Sequence, residues 1–509
     1  MLAAFGDYWR LMRAGASLAR HDVILPGEYQ SRLPVPARLA GRILRLFGGG
    51  AKGRPGQRLA TALEKLGPAY IKMGQFLATR PDVFGVEATT DLSRLKDKLP
   101  PFSMDKARAA LEAEFPEDAS QLFAGLGEPI AAASLAQVHK LETGDGTKAV
   151  KILRPGIESR IFVTLRAMGR ASRNIEKVSS ESRRLQPVAF TDTIAESMSK
   201  ELDLRLEAGG ADELRALKDA SEFYVVPEVD WQRTSKRVLT TQWIDGKPLT
   251  APDALEGSHV DRTYLANCVT RGFLTHAIHH GVFHADMHEG NMIVTPEGKL
   301  ALVDFGIVGR IGTNESRFLA EILWGFIRRD YHRIAEVHFE AGYVPPDRSV
   351  GDFAQALRSV GEPIHGKNAK DVSMGKLLLQ LFDYTHQFGM QLRPELVLLQ
   401  KTMVQVEGVA RAIDPSHDIW TAAEPIVSKW IRTNFGPEGA AKLAAQNVRE
   451  IANRLKRLPD VMDRFEASLD AQPPVVAPQK SRFAPWWGWF GFTITMTLIV
   501  AVAAISLAP

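Results

Sequence analysis

The sequence has almost no cysteine and almost no net charge. Cys268 is the single cysteine among 509 residues, so an internal disulfide and a disulfide-stapled secreted scaffold are both excluded. The 63 Lys and Arg residues are nearly balanced by 59 Asp and Glu, and a net charge of +4 gives no basis for a nucleic-acid partner. A composition of 45% hydrophobic and 24% charged residues excludes a disordered chain. The length allows two or more subdomains.

Two fingerprints are also missing. A G-x-G-x-x-G segment between a strand and a helix would indicate a flavin site, and we find no such fingerprint. Nor does such a segment lie before the first strand of the kinase-like pattern, where an ordinary protein kinase has its phosphate-binding loop. We find no convincing iron-ligand triad, and no A-P-E sequence follows the D-F-G segment at 304–306. These absences argue against a flavin- or iron-dependent hydroxylase and against the usual platform for peptide substrates.

The charge that is present lies unevenly at the two ends of the chain. Residues 1–60 carry a net charge of +7, and Pro36–Phe47 alternates arginine with apolar residues at helical spacing. That pattern suits a basic helix on an anionic membrane surface, or an amphipathic helix packed on the main body. No secretory signal is evident, because charged residues interrupt every apolar run near the N-terminus.

The C-terminal end predicts a membrane segment. Trp486–Leu507 is 22 residues long without a charge, and as a helix it would rise about 33 Å, enough for a hydrocarbon core of about 30 Å. Tryptophans stand at its start, and Lys480 and Arg482 precede it, which places the bulk of the chain on the cytoplasmic side. The expectation is a transmembrane helix, with an interfacial or re-entrant segment as the alternative.

The strongest chemical pattern lies in the middle of the chain, where HADMHEGN is followed by DFG. Asp286 precedes Asn291 by five positions, and Asp304 follows Asn291 by thirteen. Protein kinases use H-R-D-x-x-x-x-N and D-F-G in this order, with one carboxylate orienting a hydroxyl or water and the other two side chains holding Mg²⁺. The alternative is a metallohydrolase with His284, His288 and Asp286 as ligands, which the joint spacing disfavours. Apolar runs around the sequence PEGK predict a short hairpin that fixes both loops.

A lysine upstream fits the same chemistry. Lys151 lies in the sequence A-V-K-I after a strand, a turn and a second strand, which is the V-A-I-K context of a lysine that contacts nucleotide phosphates. Such a lysine pairs with a glutamate on a helix downstream, and the sequence predicts that helix over Thr191–Leu217. Candidate acidic partners on it are Glu201, Asp203 and Glu207.

Alanines occupy the place of the phosphate-binding glycines. The residues there are Ala131, Ala132, Ala133 and Ser134. Methyl groups restrict the positive-φ conformations that glycine allows and crowd a bound phosphate, so nucleotide handling should differ from that of ordinary kinases. The other interpretation is a turn of small residues with no phosphate role.

Taken in order, these segments resemble the UbiB-type, or ADCK, family of atypical kinase-like proteins. The resemblance covers roughly residues 60–310 and includes a K-x-G-Q signature, the alanine-rich loop, an E-x-D motif followed by a glutamate in the lysine-pairing place, and the two loops described above. The residues concerned upstream of the loops are Lys72, Gly74 and Gln75, then Glu201, Asp203 and Glu207. The chain departs from the family at Gly209 and Gly210, where an asparagine is often found, and has residues for only one C-terminal span.

The resemblance implies an α+β, two-lobed protein kinase-like fold with an N-terminal helical extension, to which the predicted C-terminal transmembrane helix is added. It also implies that the K-x-G-Q helix covers the active site, with Lys72 meeting Glu201 and Asp203. The expected organisation is a basic arm (1–60), a K-x-G-Q helical extension (61–125), an N-lobe with inserted helices (126–248), a helical C-lobe (249–470), a linker (471–485) and the membrane helix (486–507).

The implied function is that of a membrane-bound ATPase supporting ubiquinone biosynthesis, around the polyprenylphenol hydroxylation steps, at the bacterial inner membrane with the catalytic domain on the cytoplasmic side. ATP or ADP and Mg²⁺ are the expected cofactors; membrane lipid, a polyprenyl quinone precursor and quinone biosynthesis enzymes are the expected partners. The candidate catalytic residues are Asp286, Lys151 and Lys72, the nucleotide-binding ones are Ala131, Ala132, Ala133, Ser134, Lys151, Glu207, Glu201 and Asp203, and the metal ligands are Asn291 and Asp304.

Two other functions compete with this one. The first is a non-enzymatic, nucleotide-gated pseudokinase that binds isoprenoid lipid and organises a biosynthetic complex, which the alanine-rich loop and the K-x-G-Q segment favour. The second is a kinase of small hydroxylated metabolites, whose loops also read H-x-D-x-x-x-x-N. Neither a K-x-G-Q segment nor a hydrophobic tail is expected in the latter, so it ranks last.

Overall fold

The computed structural model describes residues 2–23, 53–78, 86–92, 95, 99–178, 186–218, 220–257, 260–365, 384, 387–390 and 394–436. They fall into two compact units. The first holds the chain up to Leu206 together with Asp230–Gln242, and the second holds Glu207–Val229 and the described residues from Trp243 to 436. The predicted transmembrane helix, the linker at 471–485 and the basic segment Pro36–Phe47 all lie outside the described residues.

The first unit begins with helices. They are α1 (Leu2–Arg20), α2 (Pro55–Leu66), α3 (Pro68–Leu77), α4 (Val86–Leu92), α5 (Met104–Glu114) and α6 (Ala119–Leu122). Helices α1 to α4 share an apolar cluster in which Leu63 and Leu92 are completely buried. The N-terminal helical extension expected from the sequence is therefore confirmed.

A four-stranded antiparallel sheet follows in the same unit, in the order β1–β2–β3–β5. Its strands are β1 (Leu126–Ala132), β2 (Ala136–Thr143), β3 (Gly146–Leu153) and β5 (Val238–Gln242). One face of the sheet packs Val150 and Ile152 against Leu111 of α5. The predicted strand–turn–strand that carries Lys151 is thus confirmed as the β2–β3 hairpin.

Three helices follow β3 along the chain. They are α7 (Ile157–Val178), α8 (Pro187–Glu201) and α9 (Leu204–Arg215). The single helix predicted over Thr191–Leu217 is wrong, because the chain breaks between α8 and α9. The backbone N–H of Leu204 donates to the Lys236 carbonyl at 2.9 Å instead of continuing α8, and the Asp203 carboxylate accepts the N–H of Arg205 at the start of α9.

The second unit contains short strands and a larger set of helices. Its elements are α10 (Ala220–Phe223), β4 (Tyr224–Val225), β6 (Lys247–Pro248), α11 (Arg262–Leu274), β7 (Val282–His284), β8 (Met292–Val294), β9 (Leu300–Leu302), β10 (Val308–Arg310), α12 (Thr313–Arg328), α13 (Tyr331–Glu340), α14 (Val350–His365), α15 (Pro394–Ile413) and α16 (Ile419–Phe435). Strands β8 and β9 form the predicted antiparallel hairpin around the PEGK turn, within a sheet ordered β4–β9–β8–β6. Strands β7 and β10 pair separately.

Local sequence fixes where several of these helices begin. Asp261, Asp330 and Asp418 each precede a helix and accept a backbone N–H from its first turn, at 2.9, 3.0 and 3.0 Å. An aspartate in this position satisfies an N–H group that has no partner inside the helix. Within the part of the chain that is described, no helix is long and apolar enough to cross a membrane.

Candidate active site

The HADMHEGN segment is held between a strand and a hairpin of the second unit. A single π-helical turn, Thr275–His280, ends at Gly281, whose φ of +70° suits glycine and where a Cβ would lie 2.7 Å from the Ile311 carbonyl. Strand β7 then leads into the loop, and the N–H of Ala285 donates to the Ile307 carbonyl at 2.9 Å. The loop closes with a 3₁₀ turn at Glu289–Asn291, which opens directly into β8.

Asp286 is partly buried in this loop and faces two donors from α15. Its Oδ1 atom lies 3.3 Å from Nζ of Lys401 and accepts a hydrogen bond of 3.2 Å from Nε2 of Gln405. Its Oδ2 atom lies 3.7 Å from Nε2 of His288. Burial by itself raises the pKa of Asp286, but the Lys401 ammonium and the Gln405 amide outweigh it and hold the pKa below its usual range. The carboxylate is therefore ionised at neutral pH, as a hydroxyl-orienting group requires.

Asn291 and Asp304 are brought close by the hairpin. The N–H of Val303 donates to the Asn291 carbonyl at 2.9 Å, so the residue after Val303 lies beside Asn291. Nδ2 of Asn291 donates to the Asp286 carbonyl at 3.0 Å, which directs the amide oxygen away from that carbonyl. Asp304 is exposed, has a left-handed φ of 64° and accepts the Gly306 N–H at 3.3 Å. An oriented amide oxygen and an exposed carboxylate are ligands that Mg²⁺ prefers, so this donor set fits the ion.

The two loops also touch through their aromatic side chains. The ring of His284 meets the ring of Phe305 at an angle of 61°, with centroids 5.3 Å apart. Nδ1 of His284 accepts the Asp286 N–H at 3.1 Å, and burial lowers the pKa of His284 so that the ring is neutral. His284 thus contacts both the backbone of the HADMHEGN loop and the D-F-G segment. Across the described residues no group of three His, Cys, Asp or Glu side chains has the arrangement of a metal site.

In the first unit, Lys151 lies in the middle of the sheet. It pairs with Val138 of β2 on one side and with Leu239 of β5 on the other. The Ala131–Ser134 segment ends β1 and turns into β2, with the Ala133 N–H donating to the Ala136 carbonyl at 2.8 Å. Lys151 on β3 and the alanine-rich loop at the end of β1 therefore belong to one sheet, in which β2 lies between these two strands.

The alanine-rich loop is braced by an arginine that the sequence argument overlooked. Nε and Nη2 of Arg154 donate to the Ala133 carbonyl at 3.0 and 2.8 Å, and Nη2 also lies 2.9 Å from the Pro100 carbonyl. Ser134 is completely buried, and its hydroxyl has no hydrogen-bond partner among the described residues. The loop is thus a turn held by side-chain hydrogen bonds, in contrast to the glycine-rich loop of an ordinary kinase. Its only sequence clue was a basic residue three positions after Lys151.

The K-x-G-Q segment lies on α3. Nζ of Lys72 is 2.8 Å from Oε2 of Glu201, the last residue of α8, and both side chains are about one-fifth exposed. Asp203 lies after the end of α8 and accepts hydrogen bonds from Nε and Nη2 of Arg205 at 2.8 and 2.6 Å. A Cβ on Gly74 would overlap the side chains of Leu63 and Leu95, so glycine permits the close packing of α3 on its neighbours.

The structure thus brings the candidate residues together in separate groups. Asp286, Asn291 and Asp304 lie together in the second unit, Lys72 lies with Glu201 in the first, and Lys151 shares a sheet with the alanine-rich loop. Glu207 is buried in the first turn of α9, in the second unit. Its pairing with Lys151 stays a prediction, as do the assigned roles of all these residues. Sequence reasoning missed Lys401 and Gln405, since more than 100 residues separate them from Asp286.

Comparisons with known proteins agree with this architecture. A family model described as the ABC1 atypical kinase-like domain matches residues 94–338, and one described as the UbiB helical domain matches residues 357–418. A solved structure of Rv3197 with erythromycin, from Mycobacterium tuberculosis, superposes with a TM-score of 0.50 at 23% identity, covering 77% of this chain and 97% of that one. At that identity the likeness concerns the fold alone, and it supports a kinase-like α+β fold with a helical extension.

Curated relatives extend the likeness to most of the chain. It is 36% identical to the probable protein kinase UbiB of Marinobacter nauticus, covering 93% of this chain and 88% of that protein. It is 35% identical to the protein of the same name from Pseudomonas paraeruginosa, covering 89% of this chain and 85% of that protein. It is 37% identical to the one from Aeromonas hydrophila, covering 87% of this chain and 82% of that protein. The chain therefore belongs to the UbiB family of ABC1-type atypical kinase-like proteins.

Proposed function

We propose that this protein is a Mg²⁺-dependent ATPase of the atypical kinase type that supports ubiquinone biosynthesis at a membrane. The observation that carries the proposal is the grouping of Asp286, Asn291 and Asp304 in one loop–hairpin arrangement, with an ionised carboxylate beside two oxygen ligands. Membership of the UbiB family supports the assignment to ubiquinone biosynthesis.

Each residue of the group has a role that its contacts permit. Asn291 and Asp304 would hold Mg²⁺, whose bound charge offsets the negative charge of the phosphates. Asp286 orients a water or hydroxyl through a carboxylate that the Lys401 ammonium keeps ionised. His284 fixes the backbone of Asp286 by accepting its N–H.

In the first unit, Lys151 and the alanine-rich loop would contact the nucleotide. Lys151 supplies a positive charge for the phosphates, and Glu207 is its proposed partner. Because Arg154 pins the Ala133 carbonyl, the loop keeps one backbone conformation. The methyl groups of this loop crowd a bound phosphate, so we expect nucleotide handling to differ from that of ordinary kinases.

The membrane assignment comes from the two ends of the sequence. The +7 charge of residues 1–60 would attract an anionic lipid surface, and the apolar segment Trp486–Leu507 would anchor the chain at the bacterial inner membrane, with the catalytic part on the cytoplasmic side. A polyprenyl quinone precursor resides in such a membrane. We place the activity around the polyprenylphenol hydroxylation steps, together with other enzymes of quinone biosynthesis.

The test is nucleotide turnover by the purified full-length protein in the presence of anionic vesicles and a prenylated phenol. Asp304→Asn should lower Mg²⁺-dependent ATP turnover at least about 100-fold and weaken Mg²⁺-dependent nucleotide binding. Asp286→Asn should lower turnover about as much while leaving binding within a fewfold of wild type. Asp352→Asn, an exposed change on α14, is the matched control and should change neither. Full binding and turnover by Asp304→Asn would show the metal assignment to be wrong.

The ion pair between Lys72 and Glu201 favours a second candidate, the nucleotide-gated pseudokinase. It ties the K-x-G-Q helix to α8, as expected if that helix covers the site in place of a peptide substrate. A strain that carries only Asp286→Asn distinguishes the two. Normal ubiquinone content in that strain, with no turnover by the purified variant, supports the pseudokinase; loss of ubiquinone supports the ATPase.

A further inference from the structure

Helix α15 runs beside the HADMHEGN loop and contacts it through three side chains. Lys401 and Gln405 lie one helical turn apart and both reach Oδ1 of Asp286, at 3.3 and 3.2 Å. Thr402 lies on the same side, is completely buried, and has its hydroxyl 3.1 Å from the Ala285 carbonyl. The helix therefore holds two adjacent residues of the loop, one by its backbone and one by its side chain.

The contacts to Asp286 are asymmetric. Both α15 donors converge on Oδ1, whereas Oδ2 faces His288, whose Nε2 is 3.7 Å away and whose side chain is half exposed. A carboxylate with one oxygen held by an ammonium and an amide cannot rotate freely about its terminal bond. The second oxygen is thereby directed to the exposed side of the loop, where a water or hydroxyl can approach it.

The positive charge of Lys401 also meets a requirement of burial. Asp286 is only about one-quarter exposed, and burial of a carboxylate is costly unless a partner of opposite charge lies beside it. Lys401 is about one-third exposed itself, so its ammonium remains hydrated on one side while contacting Asp286 on the other. Gln405 adds a neutral donor to the same oxygen.

We propose that Lys401 and Gln405 are positioning residues for Asp286, which make α15 a part of the catalytic apparatus. They belong to the segment that matches the UbiB helical domain, whereas Asp286 belongs to the segment that matches the kinase-like domain. The helical domain therefore supplies the ammonium group and the amide that hold the Asp286 carboxylate in place. This inference rests on the proposed function, because it assigns Asp286 as the group that orients the attacking water or hydroxyl.

Lys401→Met tests the proposal by its effect on separate kinetic constants. We expect kcat for MgATP turnover to fall about 10- to 100-fold with KM within about threefold of wild type, because Lys401 acts on Asp286 and not on the nucleotide. Lys401→Arg keeps the charge and should recover most of the lost kcat. Lys429→Met, an exposed lysine change on α16, is the matched control and should have no effect.

A double variant shows whether the effect passes through Asp286. In the Asp286→Asn background, Lys401→Met should change kcat by less than about twofold, since the group that it positions is already lost. A further large fall there, or wild-type kcat in Lys401→Met alone, overturns the proposal. Thermal unfolding of the same four proteins tests the Lys401–Asp286 contact independently. If wild type shows no turnover, the proposed function fails, and additive shifts of the unfolding temperature in the double variant would then overturn the contact as well.

Discussion

Lys72 of α3 and Glu201 at the end of α8 form an ion pair of 2.8 Å in which both side chains are about four-fifths buried. Because water is largely excluded, each charge is stabilised by the other, and loss of either removes part of the stabilisation of its partner. We expect Lys72→Met and Glu201→Gln each to lower the free energy of unfolding by about 1–3 kcal/mol, with a coupling energy of about 1 kcal/mol in the double variant. Chemical denaturation of the four proteins measures both quantities.

The same helix α8 offers the control for this pair. Lys200 and Glu196 lie 2.8 Å apart but are mostly exposed, so water screens their interaction. The corresponding variants Lys200→Met and Glu196→Gln should show no coupling above experimental error. Equal coupling in the exposed pair and in the mostly buried pair would contradict the role given to burial.

Adjacent glycines in α9 should respond to alanine in opposite directions. A Cβ on Gly210 would lie 2.7 Å from Cγ2 of Val308 and 3.4 Å from the Phe305 carbonyl, whereas a Cβ on Gly209 would meet nothing within 4 Å. Gly209→Ala should stabilise the protein by about 0.5–1 kcal/mol, because alanine favours the helix. Gly210→Ala should destabilise it and lower turnover by displacing the D-F-G segment. The unfolding midpoint and ATPase rate of the two variants provide the comparison, and similar effects of both would refute it.

Arg154 should control the alanine-rich loop. Arg154→Met removes the donors to the Ala133 and Pro100 carbonyls and leaves these carbonyls without their partner. We expect nucleotide affinity to change at least threefold, and the loop amides to exchange hydrogen faster, while the rest of the sheet keeps its protection. Hydrogen exchange and titration with a fluorescent nucleotide are the measurements. Arg160→Met, an exposed change on α7, serves as the control; unchanged exchange at Ala131–Ser134 in Arg154→Met would disprove the bracing role.

Acid should destabilise the second unit through its buried histidines. Burial lowers the pKa of His338 to about 4, against about 6.5 in an unfolded chain. The unfolded state therefore binds the extra proton first, and stability falls as the pH drops from about 6.5 to about 4, by up to about 3 kcal/mol for this residue. His338→Asn should make the loss on acidification about 2–3 kcal/mol smaller, as measured by denaturant unfolding between pH 7.5 and pH 4.5.

His332 supplies the comparison for this pH dependence, since it lies on the same helix α13 with its side chain two-thirds exposed. His332→Asn should leave the pH dependence as it is in wild type. Part of the dependence should survive in His338→Asn, because burial also lowers the pKa of His284 and His417 in the same unit. A pH dependence that does not change in His338→Asn would show that this histidine is not the source.

Much of the fold could be predicted from residue patterns with a local cause. Alternating and apolar runs bounded by turn residues predicted the β2–β3 and β8–β9 hairpins. The helical extension, by contrast, was implied by the resemblance to a family. The prediction failed at Thr191–Leu217, where helical periodicity continues through Asp203. The break there depends on the Lys236 carbonyl, which is distant in sequence and could not be anticipated from propensity.

The candidate site divides in the same way. The order and spacing of Asp286, Asn291 and Asp304 are properties of the sequence, because the chemistry of a phosphate and a divalent ion requires those side-chain types on two adjoining loops. The charged residues that contact the catalytic loop and the alanine-rich loop come from distant positions in the sequence. Lys401 is 115 positions from Asp286, and Arg154 is 21 positions from Ala133. Neither position belongs to a short motif, so neither was singled out.

The sequence alone therefore determined which chemical groups the protein carries and the family to which it belongs. Residues at fixed short spacings on one loop or strand lie close together in space whatever the rest of the fold is. A motif made of such residues can therefore be recognised from the sequence. Only the tertiary structure decided what surrounds those groups: which oxygen of Asp286 receives the donors of α15, and which carbonyl Arg154 holds. The physical reason is that burial and charge pairing depend on distances through space, and packing brings together residues that the sequence separates.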